Sequence, residues 1–526
     1  MANKSRTTYT ILNFTSSIGG LLITVLMQFV VRTVFIRTLG KSYLGINGLF
    51  SNILSMLSLA EMGVGSAIVF KLYEPLANND KRRINLLMNF YKVVYRYIGI
   101  AVGIVGICLV PFLHILINDY DKLATLNINT VFIFCLYLFD SVSSYLFFAY
   151  KSAIVKADQK EYIINIVSYF FTIGSGILQI VFLILFNSFE LFVILSIIKT
   201  LGLNFAIAFY ADKHYPYLNN ELQGSISSGE AKGVFKDCGA LFIYKMNNVV
   251  VKSTDNIILS AFLGLDSVAL YSNYAIFYTT IRTLFTKVFN SVGHSIGNLH
   301  TTHDVSQEYK VFEATMLVAG ILGGTALVGI FCIADEFVKI WLGENWVLVQ
   351  PFSFLLGLEI YTISYKQALA KYRTSYGLFR QGWARPLAGM LINLIISIVL
   401  VKPLGISGVL IGTIAADWLT FAWYDPLILH RIGFEKTYPV SRYYYKFLKY
   451  TLTTIVIGVS NYYICSHFLA GMGWISVLVH AIICGVTTPV ALMLVSLTTQ
   501  EAHYILDLIN REIRKATKKS TNKSLL

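Results

Sequence analysis

The residues of this 526-residue chain best able to do chemistry are charges and amides set at helical intervals inside apolar stretches. Between Gly239 and Leu263, Lys245, Asn248, Lys252, Asp255 and Asn256 recur every three or four positions. At about 100° per residue they fall on one helical face. In lipid such a stripe is intolerable, so it points to a wet interior path with excess positive charge, suited to an anion. The competing reading is a structural network in which Asp255 neutralises Lys252 one turn away. The following stretch repeats the pattern with Tyr271, Tyr274, Tyr278, Arg282 and Thr286 on one face, while Lys287 lies off it. Aromatic rings beside a cation suit a sugar, whose apolar face stacks and whose hydroxyls need hydrogen bonds; ordinary packing around an ion pair is the alternative.

Two earlier stretches carry weaker versions. Asn13, Ser17, Gly20, Thr24, Gln28 and Arg32 mark the first, and Asn47, Ser51, Ser55, Ser58 and Glu61 the second. Small hydroxyl residues in membrane helices usually serve packing, but Arg32 and Glu61 are too costly for that role alone. Other embedded charges are Asp140, Lys199, Glu359, Lys366 and Asp417. Glu359, Thr362 and Lys366 share a face, as a proton or sodium relay would, or as an interhelical pair would; the pair is preferred.

Enzyme chemistry finds no motif. The chain has no phosphate-cradling glycine loop with lysine, no HExxH and no GxSxG. Its cysteines, Cys108, Cys135, Cys238, Cys332, Cys465 and Cys484, have no metal-ligand spacing and read as small core residues. No cofactor or metal is expected, and no nucleic acid partner despite a net charge of +14.

The elements that carry these residues are membrane helices. Hydrophobic residues make up 56% of the chain and charged ones 13%, against about a quarter in soluble proteins. Apolar runs of about twenty residues, the length that crosses hydrocarbon, recur from end to end. They predict about fourteen spans, the first six being Ile11 to Val34, Leu44 to Phe70, Val94 to Ile117, Ile128 to Tyr150, Tyr162 to Phe186 and Phe189 to Tyr210. Gly239 to Leu263, Val268 to Ser291, Val311 to Ala334, Phe352 to Ala370, Pro386 to Val401 and Leu404 to Leu429 form the next six. Tyr450 to Leu469 and Ile475 to Leu497 complete the set. Lys4 and Arg6 precede an uncleaved first helix.

Basic loops (Lys71 to Lys92, Lys151 to Lys160, Lys371 to Arg385, Arg431 to Lys446) alternate with short acidic ones holding Asp119, Asp121, Glu190, Asp266, Asp335, Glu336 and Glu344. The positive-inside rule then puts both termini in the cytoplasm; Arg37 and Lys41 break it locally. Ile505, Leu508, Ile509 and Ile513 share a face before a basic tail, predicting an interfacial helix on membrane lipids.

The chain also looks duplicated. Thr38-Leu39-Gly40 corresponds to Phe262-Leu263-Gly264, Gly63 to Ile68 to Ser291 to Ile296, and Lys92-Val93 to Lys310-Val311. The reading is an all-α polytopic fold of two six-helix lobes in pseudo-twofold repeat plus two C-terminal helices. The lobes are residues 1–211 and 239–432, joined by a cytoplasmic linker at 212–238 and followed by extra helices at 433–498 and a tail at 499–526. The polar first, second, seventh and eighth spans are equivalent in this scheme, which favours a central cavity.

Leu39 to Phe50 (LGKSYLGINGLF), Gly63 to Ala67, Leu72 to Asp80 (LYEPLANND), Thr254 to Ser260 (TDNIILS) and Trp341 to Glu344 resemble the Wzx-type oligosaccharide flippases of the multidrug/oligosaccharidyl-lipid/polysaccharide exporter superfamily. The resemblance implies alternating access about a cationic cavity. It also implies movement of undecaprenyl-diphosphate-linked oligosaccharide from the inner to the outer leaflet of a bacterial plasma membrane, alongside a polymerase and other assembly proteins. Arg32 and Arg282 occupy places comparable to arginines of relatives that flip the peptidoglycan lipid precursor. On this reading Arg282, Lys252, Lys245 and Arg32 meet the diphosphate. Asn248, Asp255, Asn256, Tyr274, Tyr278 and Glu61 complete the binding surface. The rival functions are a cation-coupled exporter of drugs or metabolites, which a basic cavity opposes, and a polysaccharide polymerase or ligase, which short outer loops oppose.

Overall fold

The structure is a computed structural model. It describes residues 6–58, 64–118, 120, 128–219, 246, 249–251, 253–300, 304–378, 381–382, 384–468, 471, 473–507 and 510. The chain is an all-α membrane protein that divides into two compact units, Met1–Ala269 and Leu270–Leu526.

The first unit holds α1 (Arg6–Leu39), α2 (Lys41–Leu57), α3 (Val64–Ala77), α4 (Lys81–Leu109), α5 (Thr130–Leu146), α6 (Glu161–Phe186) and α7 (Phe189–His214). Residues 253–263 are helical and lead into α8 (Leu265–His300), whose body lies in the second unit. That unit continues with α9 (Val305–Leu342), α10 (Phe352–Ser375), α11 (Ala384–Leu404), α12 (Ile406–Ile428), α13 (Val440–Phe468) and α14 (Trp474–Ser496).

Among the described residues, eight helices are long and apolar enough to cross a membrane, or nine if the bent pair Thr130–Leu146 and Ala149–Ala157 is one span. The sequence predicts more, and the predicted second and seventh spans run in part through residues outside the described ones, 59–63 and most of 239–252. Helices α8, α10 and α13 have 36, 24 and 29 residues, ample at about 1.5 Å each. Their polar residues lower their hydropathy; on α10 Glu359, Thr362 and Ser364 and on α13 Thr451, Thr454 and Asn461 are buried.

The duplication is written in the backbone. Gly40 and Gly264, the glycines paired in the sequence comparison, both have positive φ, 87° and 86°, each just before a helix starts. Only a residue without Cβ takes this conformation cheaply, so the chain reverses within one residue. Asn187 between α6 and α7 and Gly405 between α11 and α12 also match, with φ of 49° and 60°. Neighbour pairs match as well. In the first unit α4 packs on α5, α5 on α7 and α6 on α7; in the second, α9 packs on α10, α10 on α12 and α11 on α12.

Helices α13 and α14 pack on α9 and on each other. Along α14, Leu478, Ile482, Val486, Val490 and Leu494 are exposed at four-residue steps, a stripe for lipid. Its opposite face buries Val477, His480, Cys484, Thr488, Leu492 and Ser496. At the far end of α14, Leu317, Tyr450, Leu492 and Ala502 form a core cluster against which Ile505 packs. Ile505 is thus held in the protein rather than laid on lipid. Leu508, Ile509, Ile513 and the basic tail lie outside the described residues.

Candidate functional site

In the first unit Arg32 is half-buried on α1, and Asp255 and Asn256 are buried. The Asn256 carbonyl oxygen finds no hydrogen-bond partner among the described residues. Lys245, Asn248, Lys252 and Glu61 lie outside the described residues, as do Asp119 and Asp121. Asp140 on α5 lies near enough to Lys199 on α7 to attract it electrostatically, while Thr200 Oγ1 donates to the Ser196 carbonyl at 3.1 Å. Beyond the end of α5, Lys151 Nζ lies 2.5 Å from Asp212 Oδ1 near the end of α7.

In the second unit the polar face of α8 looks toward α10, and the two run in the same direction. Tyr271 and Tyr274 make ring contacts with Phe352 at centroid distances of 6.2 and 5.2 Å. Further along, the Tyr278 hydroxyl donates to Glu359, with Arg282 and Asp417 close enough to act on it electrostatically. Gln367 Nε2 donates to the Arg282 carbonyl at 3.2 Å, and Ser375 Oγ to the Gly293 carbonyl at 3.2 Å. Long side chains bridge the two helices.

Tyr274 is fully buried and works as a corner post. Its hydroxyl donates to Asp335 Oδ1 at 2.8 Å and accepts from the Leu348 amide at 3.2 Å. Asp335 also accepts from Gln350 Nε2 at 2.6 Å and from Ser353 Oγ at 2.5 Å. A carboxylate expected at a loop surface is therefore an organising centre for the α9–α10 connection.

The stripe of Glu359, Thr362 and Lys366 divides between neighbours. Glu359 turns to Tyr278, whereas Lys366 Nζ lies 2.5 Å from Asp417 Oδ1 on α12, and Trp418 Nε1 donates to Thr362 Oγ1 at 3.0 Å. Two further ion-pair groups join elements distant in sequence. Arg373 pairs with buried Asp425 and donates to the Leu378 carbonyl at 2.9 Å, and Arg385 Nε lies 3.4 Å from Asp425. Glu313 on α9 receives Arg442 and Lys446, each at 2.7 Å, and Lys446 also holds Glu501 at 2.8 Å.

Sequence reasoning missed a convergence of cysteines. Cys332 of α9, Cys465 of α13 and Cys484 of α14 are buried, with sulfurs all within 4.8 Å of one another. No spacing rule could find them, because each comes from a different helix.

Comparison with known proteins bears on the fold. No family description and no curated protein matches the sequence. Among solved structures the chain is similar to the lipid II flippase MurJ in an inward closed conformation, with a TM-score of 0.63 at 16% identity, covering 95% of this chain and 99% of that one. It is also similar to an inward-facing multidrug resistance MATE family transporter of the MOP superfamily, with a TM-score of 0.55 at 13% identity, covering 81% of this chain and 100% of that one. A point mutant of the Vibrio cholerae MATE transporter VcmN gives 0.52 at 14% identity, covering 82% of this chain and 100% of that one. The fold is shared with these flippase and transporter structures.

Proposed function

We propose that this chain moves an anionic lipid-linked oligosaccharide, undecaprenyl-diphosphate-linked, from the inner to the outer leaflet of a bacterial plasma membrane by alternating access. The observation that carries the reading is the extent of the likeness. The flippase fold accounts for 95% of the chain, the two MATE transporters for about four-fifths. The proposed lobes are residues 1–211 and 239–432, with both termini cytoplasmic. Arg282, Lys252, Lys245 and Arg32 would meet the diphosphate. Tyr278, Asn248, Asn256 and their neighbours would meet the sugar, while the lipid tail remains in the bilayer. A guanidinium gives two parallel hydrogen bonds to a phosphate, and in a site shielded from water each counts for more.

Export of drugs or metabolites is the second reading, favoured by the MATE fold likeness. An excess of lysine and arginine on the predicted faces repels cationic substrates, which disfavours it. Depletion of the protein decides between them: lipid-linked repeat units should accumulate on the inner leaflet and surface polymer should stop. Normal polymer export in depleted cells that carry no paralogue would remove the flippase reading.

A further inference from the structure

The three converging cysteines are independent of the transport reading. Cys332, Cys465 and Cys484 are 8%, 2% and 2% exposed, and no pair of their sulfurs is more than 4.8 Å apart. Three thiolates around one ion at about 2.3 Å stand about 4 Å from one another, by simple geometry of a trigonal site. The observed triangle needs only a small contraction to reach that arrangement.

A polar track leads to the triangle. On α9, Glu336 is one turn from Cys332; on α14, His480 is one turn from Cys484, and Ser476 one turn further. Glu336 Oε2 lies 2.8 Å from His480 Nδ1 and accepts a hydrogen bond from Ser476. Glu336 is also near enough to act electrostatically on Cys465. These groups step toward the helix ends at Leu342, Phe468 and Trp474. His480 and Ser476 are buried, on the face of α14 opposite its lipid stripe. A carboxylate and an imidazole in this place are costly; here they offset one another by pairing, and such intramembrane pairs commonly line proton or cation paths.

We propose that Cys332, Cys465 and Cys484 form a three-sulfur site for one soft thiophilic metal ion of the Cu(I), Zn(II) or Cd(II) class, reached past Ser476, Glu336 and His480. Thiolate ligands select such ions over hard ones. Each thiol that ligates as a thiolate gives up its proton, and the His480–Glu336 pair is the first basic group on the way out. A monovalent ion with one thiolate and two thiols, or a divalent ion with two thiolates and one thiol, is neutral overall. That suits a site in apolar surroundings. Occupancy ties α13 and α14 to α9, so the ion would hold the C-terminal helix pair against its lobe.

The test uses the full chain in detergent, purified and kept anaerobic. Cys108→Ser, Cys135→Ser and Cys238→Ser together leave the three cluster thiols alone. Titration with Cd(II) should give a sulfur-to-metal charge-transfer band that saturates at one ion per chain and should raise the melting temperature, because only the folded state offers the site. In that background Cys484→Ser should weaken binding by more than about tenfold, the lower bound known for losing even an outer-shell partner. X-ray absorption of the unmutated protein loaded with Cu(I) should show three sulfur neighbours and needs no variant to fold. No saturable band, equal binding after all three cluster cysteines become serine, or a disulfide between two of them in the anaerobic protein would each overturn the proposal.

Discussion

Lys366 on α10 meets Asp417 on α12 at 2.5 Å, and the equivalent helices of the first unit carry the charges in exchanged order, Asp140 on α5 and Lys199 on α7 attracting one another without a close ion pair. A second pair repeats without exchange, since Lys151 joins Asp212 as Arg373 joins Asp425. In the second unit two ion pairs thus join α10 to α12, and in the first unit one, Lys151 with Asp212, joins the segment after α5 to α7, with Asp140 and Lys199 attracting one another between the same helices. Burying a lone charge costs several kcal/mol, whereas a matched pair is close to neutral in net effect. The three close pairs therefore help to specify which helices meet.

The pair makes an exchange experiment informative. Lys366→Ala should strand Asp417, which is partly buried, and cost at most about 3 to 5 kcal/mol, the range for breaking a fully buried pair. Protein abundance and melting temperature should fall sharply. The reversed pair, Lys366→Asp with Asp417→Lys, copies the sign order of the first unit and should recover most of both. A reversed pair as unstable as the single variants would show that position, and not pairing, sets the cost.

Close approach gives a second prediction. A Cβ on Gly45 would lie 2.3 Å from the Leu265 carbonyl oxygen, both within the first unit. Backbone cannot rotate away as a flexible side chain can, so α2 would have to shift. Gly45→Ala should cost about 1 to 3 kcal/mol, the usual range for overpacking, while Ala at Gly174, which has open space around it, should be mild. Melting curves of the two variants in detergent compare them directly, and equal melting temperatures would refute the contact.

Much of the fold was legible because lipid imposes simple rules. Long apolar runs and the glycines at 40 and 264 follow from local chemistry, and the repeat shows in those glycines. The candidate site was legible only as stripes. Periodicity places Tyr278 and Arg282 on one face of α8, but it cannot say that Glu359, 81 positions beyond Tyr278 in the numbering, looks at them from α10. Without that information Asp255, which belongs to the first unit, is the nearest acid the sequence offers Arg282. Cys332, Cys465 and Cys484 were hidden for the same reason: three helices must pack before the sulfurs meet.

Glu501 supplies a pH prediction. It lies beyond the end of α14, where burial pushes its carboxyl up but hydrogen bonds and charge from Lys446, with help from Tyr450, outweigh this and leave it below its ordinary value of 4.5. A carboxyl lowered by folding contributes stability that is fully present above its ordinary value and is lost as pH falls through the lowered one. Melting temperature should therefore drop as pH is taken down from about 4.5, and Glu501→Gln should flatten that drop while lowering the plateau above it. An unchanged acid slope in the Gln variant would exclude Glu501 as its source.

Orientation is open to chemical labelling. Loop charge places Arg82 in the cytoplasm and Glu344 outside. In a variant with the native cysteines replaced, a single cysteine at position 344 should react in intact cells with an impermeant thiol reagent, and one at position 82 only after permeabilisation. The reverse pattern would invert the topology, and with it the direction of transport.

Arg282 carries the last prediction. It stands near the middle of the 36-residue α8, far from either end, so it cannot easily snorkel to a surface. A charge at that depth costs about 2.5 to 3.5 kcal/mol on insertion scales. Retaining it calls for a carboxylate, or for water and an anionic ligand. Glu359 is the acid that the fold brings to this neighbourhood, through Tyr278, whereas Lys366 and Asp417 satisfy each other. If the guanidinium serves the substrate diphosphate, Arg282→Ala should abolish flipping with abundance and melting temperature little changed. Arg282→Lys should keep part of the activity, since the charge survives and the two-pronged geometry does not. Adding Glu359→Gln to Arg282→Ala should leave transport absent. If Arg282 only balances Glu359, Arg282→Ala should instead lower abundance, and the double variant should restore both abundance and transport. Measuring surface polymer and protein level together in these variants separates the outcomes, and recovery of normal polymer in the double variant would end the ligand assignment.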